Sequence, residues 1–260
     1  MLGRQRPIPN KNLKLFQFLF FCSIIKTVKQ MKSDIYKINN AVEKIKMGKN
    51  TQFLDGRELK LVTGKLNKKE YNIYYPYKDS EKVMLYTGKT PKIKLFKIYT
   101  VDNIRHQDIL GSLFSLNIDS SFFGDIVLYN DNYYVFITKE LANYVKDNLK
   151  MIRNSKANLE EVSLNTLSNY ERKYEKNKII ISSLRIDNVV SSIINSSRSK
   201  ALDKIKNKEV IVNYEVINKN SYILKENDIF SIRRYGKYKF VGIVKSTKKN
   251  NYIVSYLKYI

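Results

Sequence analysis

The sequence predicts an α+β protein in three parts: a helical N-terminal region, a mixed middle domain and a small basic C-terminal module. Three observations carry this. Hydrophobic residues make up 43% of the 260 residues, enough for folded cores. Residues 92–150 run strand–helix–strand–strand–helix, the element order of a ferredoxin-like or RNA-recognition-motif-like sheet. Residues 179–260 open with two short capped helices and continue as short strands.

The first thirty residues are basic from Met1 to Lys14 and then apolar from Leu15 to Ile25, interrupted by Gln17 and Ser23. A bilayer span needs about 20 apolar residues, so this run is too short. No small-residue cleavage site follows it, only Lys26, Thr27, Val28 and Lys29. The reading is that translation starts at Met31 and that 1–30 is an upstream extension; the alternative is a weak membrane-surface anchor.

Residues 31–75 form the helical region. Ile35, Ile38, Ala41, Val42 and Ile45 recur at helical spacing. F-L-D-G-R-E (53–58) places Asp55 to cap a second helix running to about Leu66. Residues 67–90, rich in Lys and Tyr, read as strands and loops. The middle domain is bounded at 76–151. Its K-I-K-L-F-K-I-Y-T stretch alternates as a strand, and Ile109, Leu110, Leu113 and Leu116 mark a helix. G-D-I-V-L-Y and Y-Y-V-F-I-T flank a hairpin turn, and Leu141, Tyr144, Val145 and Leu149 mark the second helix. Residues 152–178 are polar and read as a linker with room for one strand, Val162 to Leu164. In the C-terminal module Ser183 is expected to cap a helix buried through Leu184, Val189, Val190, Ile193 and Ile194. Ser197 is expected to cap a second, with Ala201 and Ile205 inward. Strands follow near 210–212, 229–232, 240–244 and 253–257.

Lys plus Arg number 48 against 24 Asp plus Glu, giving +24. Such a charge calls for a polyanionic partner, nucleic acid or an anionic membrane surface. A lysine-rich proteome inflates the total but does not place it. From Lys178 to Ile260 there are 17 cations and 6 acids, and no acid follows Asp228. One cysteine and one histidine exclude zinc ribbons and disulfide frameworks. Neither Gly-rich phosphate loop occurs. His106 and Asp108, two apart on a helix, point apart and make no relay with Ser112. Tyr133, Tyr134 and Phe136 alternate on a strand, where aromatics either stack bases or fill a core; core is the preferred reading.

The strongest functional signal is the pair of C-terminal helix starts. Arg185, Arg198 and Lys200 fall in first turns, the wrong end of the dipole for a cation. That placement suits an anion held between side chains and free N–H groups, with Ser197 and Ser199 adding hydroxyls. Asp187 is placed to orient Arg185 or to complement the dipole. Lys204, Lys206 and Lys208 read as a solvated face with a general phosphate role, and Arg233, Arg234 and Lys237 as a flanking surface. Asn213 reads as a turn former. No residue reads as catalytic or metal-ligating.

At these residues the chain resembles a known family. L-R-I-D-N-V-V, S-S-R-S-K-A, I-K-N-K-E-V-I-V-N-Y and N-D-I-F-S-I-R are similar to the RNA-binding domain named after small-subunit ribosomal protein S-four. With F-L-D-G-R-E (53–58), H-Q-D-I-L-G-S-L (106–113), F-F-G-D-I (122–126) and R-R-Y-G-K-Y-K-F (233–240), the set over 31–260 resembles the YlmH family. The family usually has Pro at Gly56, Gly at Lys208 and Arg234, and Gly at Asn227, which puts local turn shapes in question. The resemblance implies a C-terminal S-four-type domain over 179–260. It also implies a cytoplasmic, non-enzymatic factor without cofactor that binds large-subunit rRNA and obstructed peptidyl-tRNA in ribosome-associated quality control. No small-molecule substrate and no stable membrane association are expected, and a monomer is. The rivals are an RNA-modifying enzyme of pseudouridine synthase or methyltransferase type and a basic membrane-surface protein.

Overall fold

The computed structural model describes residues 33–247 and 249–260. The expectations for 1–30, extension or anchor, lie outside the described residues. Among the described residues no helix is long and apolar enough to cross a membrane.

Helix α1 (33–46) buries Ile38, Ala41, Val42 and Ile45, the residues at helical spacing. Helix α2 (Gly56–Thr63) starts where expected and stops at Gly64 rather than Leu66. Asp55 and Glu58 form a reciprocal capping box: the Asp55 carboxylate accepts from Glu58 N at 2.8 Å, and Asp55 N donates to the Glu58 carboxylate at 3.0 Å. The antiparallel strands β1 (Asn72–Tyr74) and β2 (Met84–Tyr86) close this region. Leu85 and Val62 sit at its centre with no exposed surface.

The middle sheet holds β3 (Ile93–Thr100), β4 (Phe123–Tyr129), β5 (Asn132–Thr138), β6 (Met151–Ile152) and β7 (Ser155–Val162) in the order β4-β5-β3-β7-β6. All neighbours are antiparallel, and β3 is central. That is the ferredoxin-like order, with α3 (His106–Ser115) and α4 (Lys139–Asn148) as its two crossovers. The helices cover one face through Ile109, Leu113, Ala142 and Val145. The other face is also covered. Tyr134 and Phe136 pack with Phe53, Tyr77 and Leu167, and the Tyr77 ring stacks on Phe136 at 5.6 Å. These aromatics are core, and the sheet offers no open stacking platform there.

The expected linker 152–178 is corrected. Its first half is β7, fourth strand of the ferredoxin-like sheet, and its end is most of β8 (Tyr174–Ile181). Strand β8 belongs to a six-stranded antiparallel sheet with β9 (Val210–Val212), β10 (Glu215–Val216), β11 (Ile229–Ile232), β12 (Gly236–Ser246) and β13 (Tyr252–Tyr259). The order is β10-β9-β11-β12-β13-β8. Helices α5 (Ile186–Ile193) and α6 (Arg198–Lys206) pack on one face of it. Ile186, Val190, Ala201, Val210 and Val254 are fully buried there. Each large aliphatic side chain so buried stabilises by roughly 1.5–3 kcal/mol.

Candidate nucleic-acid interface

Backbone pairing fixes the start of α5. Ile186 N donates to Tyr222 O at 2.8 Å and Leu224 N to Leu184 O at 3.0 Å, with a bridge between Arg185 and Ile223. Ile186 is anchored in the core. The N-cap is therefore Arg185, without a side-chain cap, and not the expected Ser183. Ser183 instead accepts from the Asn188 amide side chain through its hydroxyl and its carbonyl.

One residue further on, Asp187 lands in the helix wall with 1% of its side chain exposed. Arg185 donates to it through Nε at 3.2 Å and Nη2 at 3.1 Å. Arg198, brought alongside by the α5–α6 turn, donates through Nε at 3.0 Å and Nη2 at 2.8 Å. Asn188 N adds a fifth bond at 3.0 Å. Burial pushes the Asp187 carboxyl up, but the hydrogen bonds from Arg185 and Arg198 outweigh it and hold the group below the usual carboxylate range.

This revises the expected anion site. At α5 the anion between the cations is already present, as Asp187. At α6, Ser197 caps as expected, its hydroxyl accepting from Lys200 N at 3.3 Å. Arg198 N and Ser199 N, ahead of that bond, have no acceptor among the described residues. The Arg198 side chain remains 59% exposed, and Ser199 and Lys200 are exposed beside it. Arg185, Arg198 and Lys200 against Asp187 leave a local excess of two positive charges, with the guanidiniums fixed in place.

A second group lies around the other end of α6. Lys204 donates to Glu209 at 2.9 Å and stands 5.0 Å from the Tyr235 ring. The Lys204 hydrogen bond, with help from Arg233 and Arg234, lowers the Glu209 carboxyl. Lys206, Lys208, Arg233 and Arg234 are exposed. Tyr235, 42% exposed between the arginines and the β12 start, went unremarked in the sequence although R-R-Y-G marked the turn. It presents a ring suited to a base or ribose beside cations.

Lys237 is corrected: it is not on the flanking surface. It bonds Glu81 of the N-terminal half and lies against the rings of Tyr214 and Tyr259. Arg172 joins this cluster, bonding Tyr77 and Asp125 and pairing with Glu81 at 3.6 Å. Glu81 and Arg172 had no motif to announce them. His106 and Asp108 form no relay, since Asp108 accepts from Arg105 at 3.1 Å. No group of residues that could hold a metal ion occurs among the described residues.

The comparisons with known proteins fall on this architecture. The family model for the RNA-binding domain in YlmH matches residues 91–166, and the S4 domain model matches 184–230. The chain is similar to YlmH over its middle domain and to S4 domains over its C-terminal module. The S4 match contains both helix starts and ends within β11; the YlmH match ends beyond β7, in agreement with the corrected strand. The chain is 29% identical over 221 residues to the "Ribosome-associated protein quality control protein P2" of Bacillus subtilis (strain 168), covering 80% of this chain and 86% of that one. It also aligns with the solved structure of "Cell division protein ylmH from Streptococcus pneumoniae" at 18% identity and a TM-score of 0.43, over 54% of this chain and 94% of that one. The domain matched over the middle sheet is described as RNA-binding, which supports an RNA-binding role for this chain.

Proposed function

We propose that the protein is a non-enzymatic, monomeric cytoplasmic factor that docks on structured RNA of the large ribosomal subunit while an obstructed peptidyl-tRNA is present. Its place is ribosome-associated quality control. The observation that carries the docking is the Arg185–Asp187–Arg198 unit. A buried carboxylate aims two guanidiniums at the surface, next to Lys200 and the free N–H groups of α6. A preorganised cation pair of this kind loses little side-chain entropy when it meets phosphates. The ribosomal part is supported by the name of the Bacillus relative.

Sedimentation with purified ribosomal subunits across a salt series tests it. The variant is Lys200→Glu/Lys206→Glu, which leaves Asp187 paired. We expect salt-sensitive comigration of wild type with the large subunit, strongest when peptidyl-tRNA is retained, and its loss in the variant. Each phosphate contact removed should lower the salt slope by roughly 0.9. Unchanged comigration of the variant moves the interface away from α6. Absence of comigration at low salt defeats the ribosomal reading.

A further inference from the structure

Helices α5 and α6 cover one face of the C-terminal sheet, and the opposite face carries its own cations. Strand β13 runs between β12 and β8. The register sets Lys239 and Lys176 on either side of Leu257, Lys178 beside Ser255, and Lys245 and Ile180 on either side of Ile253. Opposed residues of neighbouring strands share a face, and successive residues alternate faces. Tyr238, Phe240, Val254 and Tyr256 take the core positions in between. The four lysines therefore point away from the helices. Lys176, Lys178 and Lys245 are exposed and Lys239 partly so. Lys176 and Lys178 are about 7 Å apart along β8, and Lys176 and Lys239 about 10 Å apart across the sheet.

None of the four has an ion pair or hydrogen bond to a carboxylate among the described residues. The carboxylates nearby are Glu175, which pairs with Lys258 on the core-side row, and Glu226, which lies against Gly242, the residue opposite Ser255 in the row of Lys178. In the middle sheet Lys94 is matched across strands by Glu161, while Lys97 lies over the Tyr99 ring. Lysines on an edge strand guard against pairing with other chains, which accounts for Lys176 and Lys178. It does not account for Lys239, which lies between Ile229 of β11 and Leu257 of β13; Lys245 lies beyond the reach of β11.

We propose that this sheet face is a second RNA-docking surface, which takes the phosphate backbone of a duplex segment distinct from the one held at α5 and α6. The inference rests on the reading that the helix face docks on RNA. Lysines are point charges without bidentate geometry, so the contact follows the backbone and carries no sequence preference. The C-terminal module is then clamped between two RNA segments, one on each side of its sheet. Anionic lipid shares the charge chemistry. The RNA-binding domain content favours RNA, and vesicles serve as the rival probe.

The test is capture of a fluorescent 20-base-pair RNA duplex by protein already bound to an immobilised duplex. Wild type should hold both. The variant Lys176→Gln/Lys178→Gln/Lys239→Gln/Lys245→Gln should keep the first duplex and lose capture of the second by tenfold or more. The pairs Lys176→Gln/Lys178→Gln and Lys239→Gln/Lys245→Gln should each lose part of it, and they carry the test if the fourfold variant melts early. Undiminished capture by the variants overturns the proposal. So does flotation with phosphatidylglycerol vesicles that depends on the four lysines while RNA capture does not. Binding of one duplex without capture of a second sinks this inference alone; binding of no duplex sinks the helix-face reading with it.

Discussion

Asp187 is a carboxylate whose worth depends on its two arginines. Asp187→Asn should destabilise by about 1–2 kcal/mol in urea at pH 7, since charge-assisted bonds are lost. The figure stays at this level because Arg185 and Arg198 stand partly in solvent, which screens them. The pH dependence has a definite sign. The folded carboxyl is held below its unfolded value of about 3.9, so its contribution is full above that value and is lost as pH falls through the lower folded value. The gap between wild type and Asp187→Asn should close below about pH 4. RNA affinity should fall in the same variant, because released guanidiniums lose their aim. The link between Asp187 and Arg185 was legible from their spacing. The link to Arg198, eleven residues on, needed the α5–α6 turn and was not.

Among the elements, the capping box at α2 was readable from F-L-D-G-R-E, and Asp55→Ala should cost about 1 kcal/mol by thermal melt. The three turns where the family usually has glycine keep their left-handed backbone: Lys208 at φ 59°, Asn227 at 68° and Arg234 at 72°. An L-residue held there is strained by roughly 1 kcal/mol. Lys208→Gly and Arg234→Gly should therefore raise the denaturation midpoint while weakening RNA binding, two opposite readouts from one substitution. Gly56 stands at the first position of α2, where a proline suits the helix backbone, but its Cβ would meet the Tyr214 ring at 3.0 Å, so that ring must shift to admit it. Strands β7 and β8 escaped the sequence reading for a physical reason. The inward positions of β7 include Ser155 and Ala157, and β8 opens with Y-E-K-N-K, so neither shows an apolar alternation.

Across the whole molecule, Glu81, Arg172 and Lys237 join the C-terminal module to the rest. Glu81 sits between two cations, with 20% of its side chain exposed. Burial works against the charge on Arg172, but Glu81 and its other neighbours raise its affinity for the proton, so the guanidinium stays charged. Glu81→Gln should destabilise by about 1–3 kcal/mol. It should also speed hydrogen exchange near Lys237 and Tyr259 more than in α3 and α4. Unchanged exchange at that junction would mean the modules are held by other contacts. The three-part plan and the ferredoxin-like order were legible because each follows local periodicity. The junction was not, because its residues lie far apart in sequence and each alone reads as a surface charge.

The place of β8 has a consequence for how the chain is made. Its partner is β13, with Asn177 and Ser255 in contact across 78 residues. At 5–20 residues per second, β8 waits on the order of 10 s after synthesis for the strand it needs. A strand left without its partner can pair with other chains, and the charges of Lys176 and Lys178 weigh against such pairing. A fragment cut at the S4 match, beginning near Leu184, would leave β13 as a raw border over Val254 and Tyr256. Such a fragment should self-associate, whereas one begun at Arg172 should not. The unit that travels as a folded piece is longer than the motif that marks it.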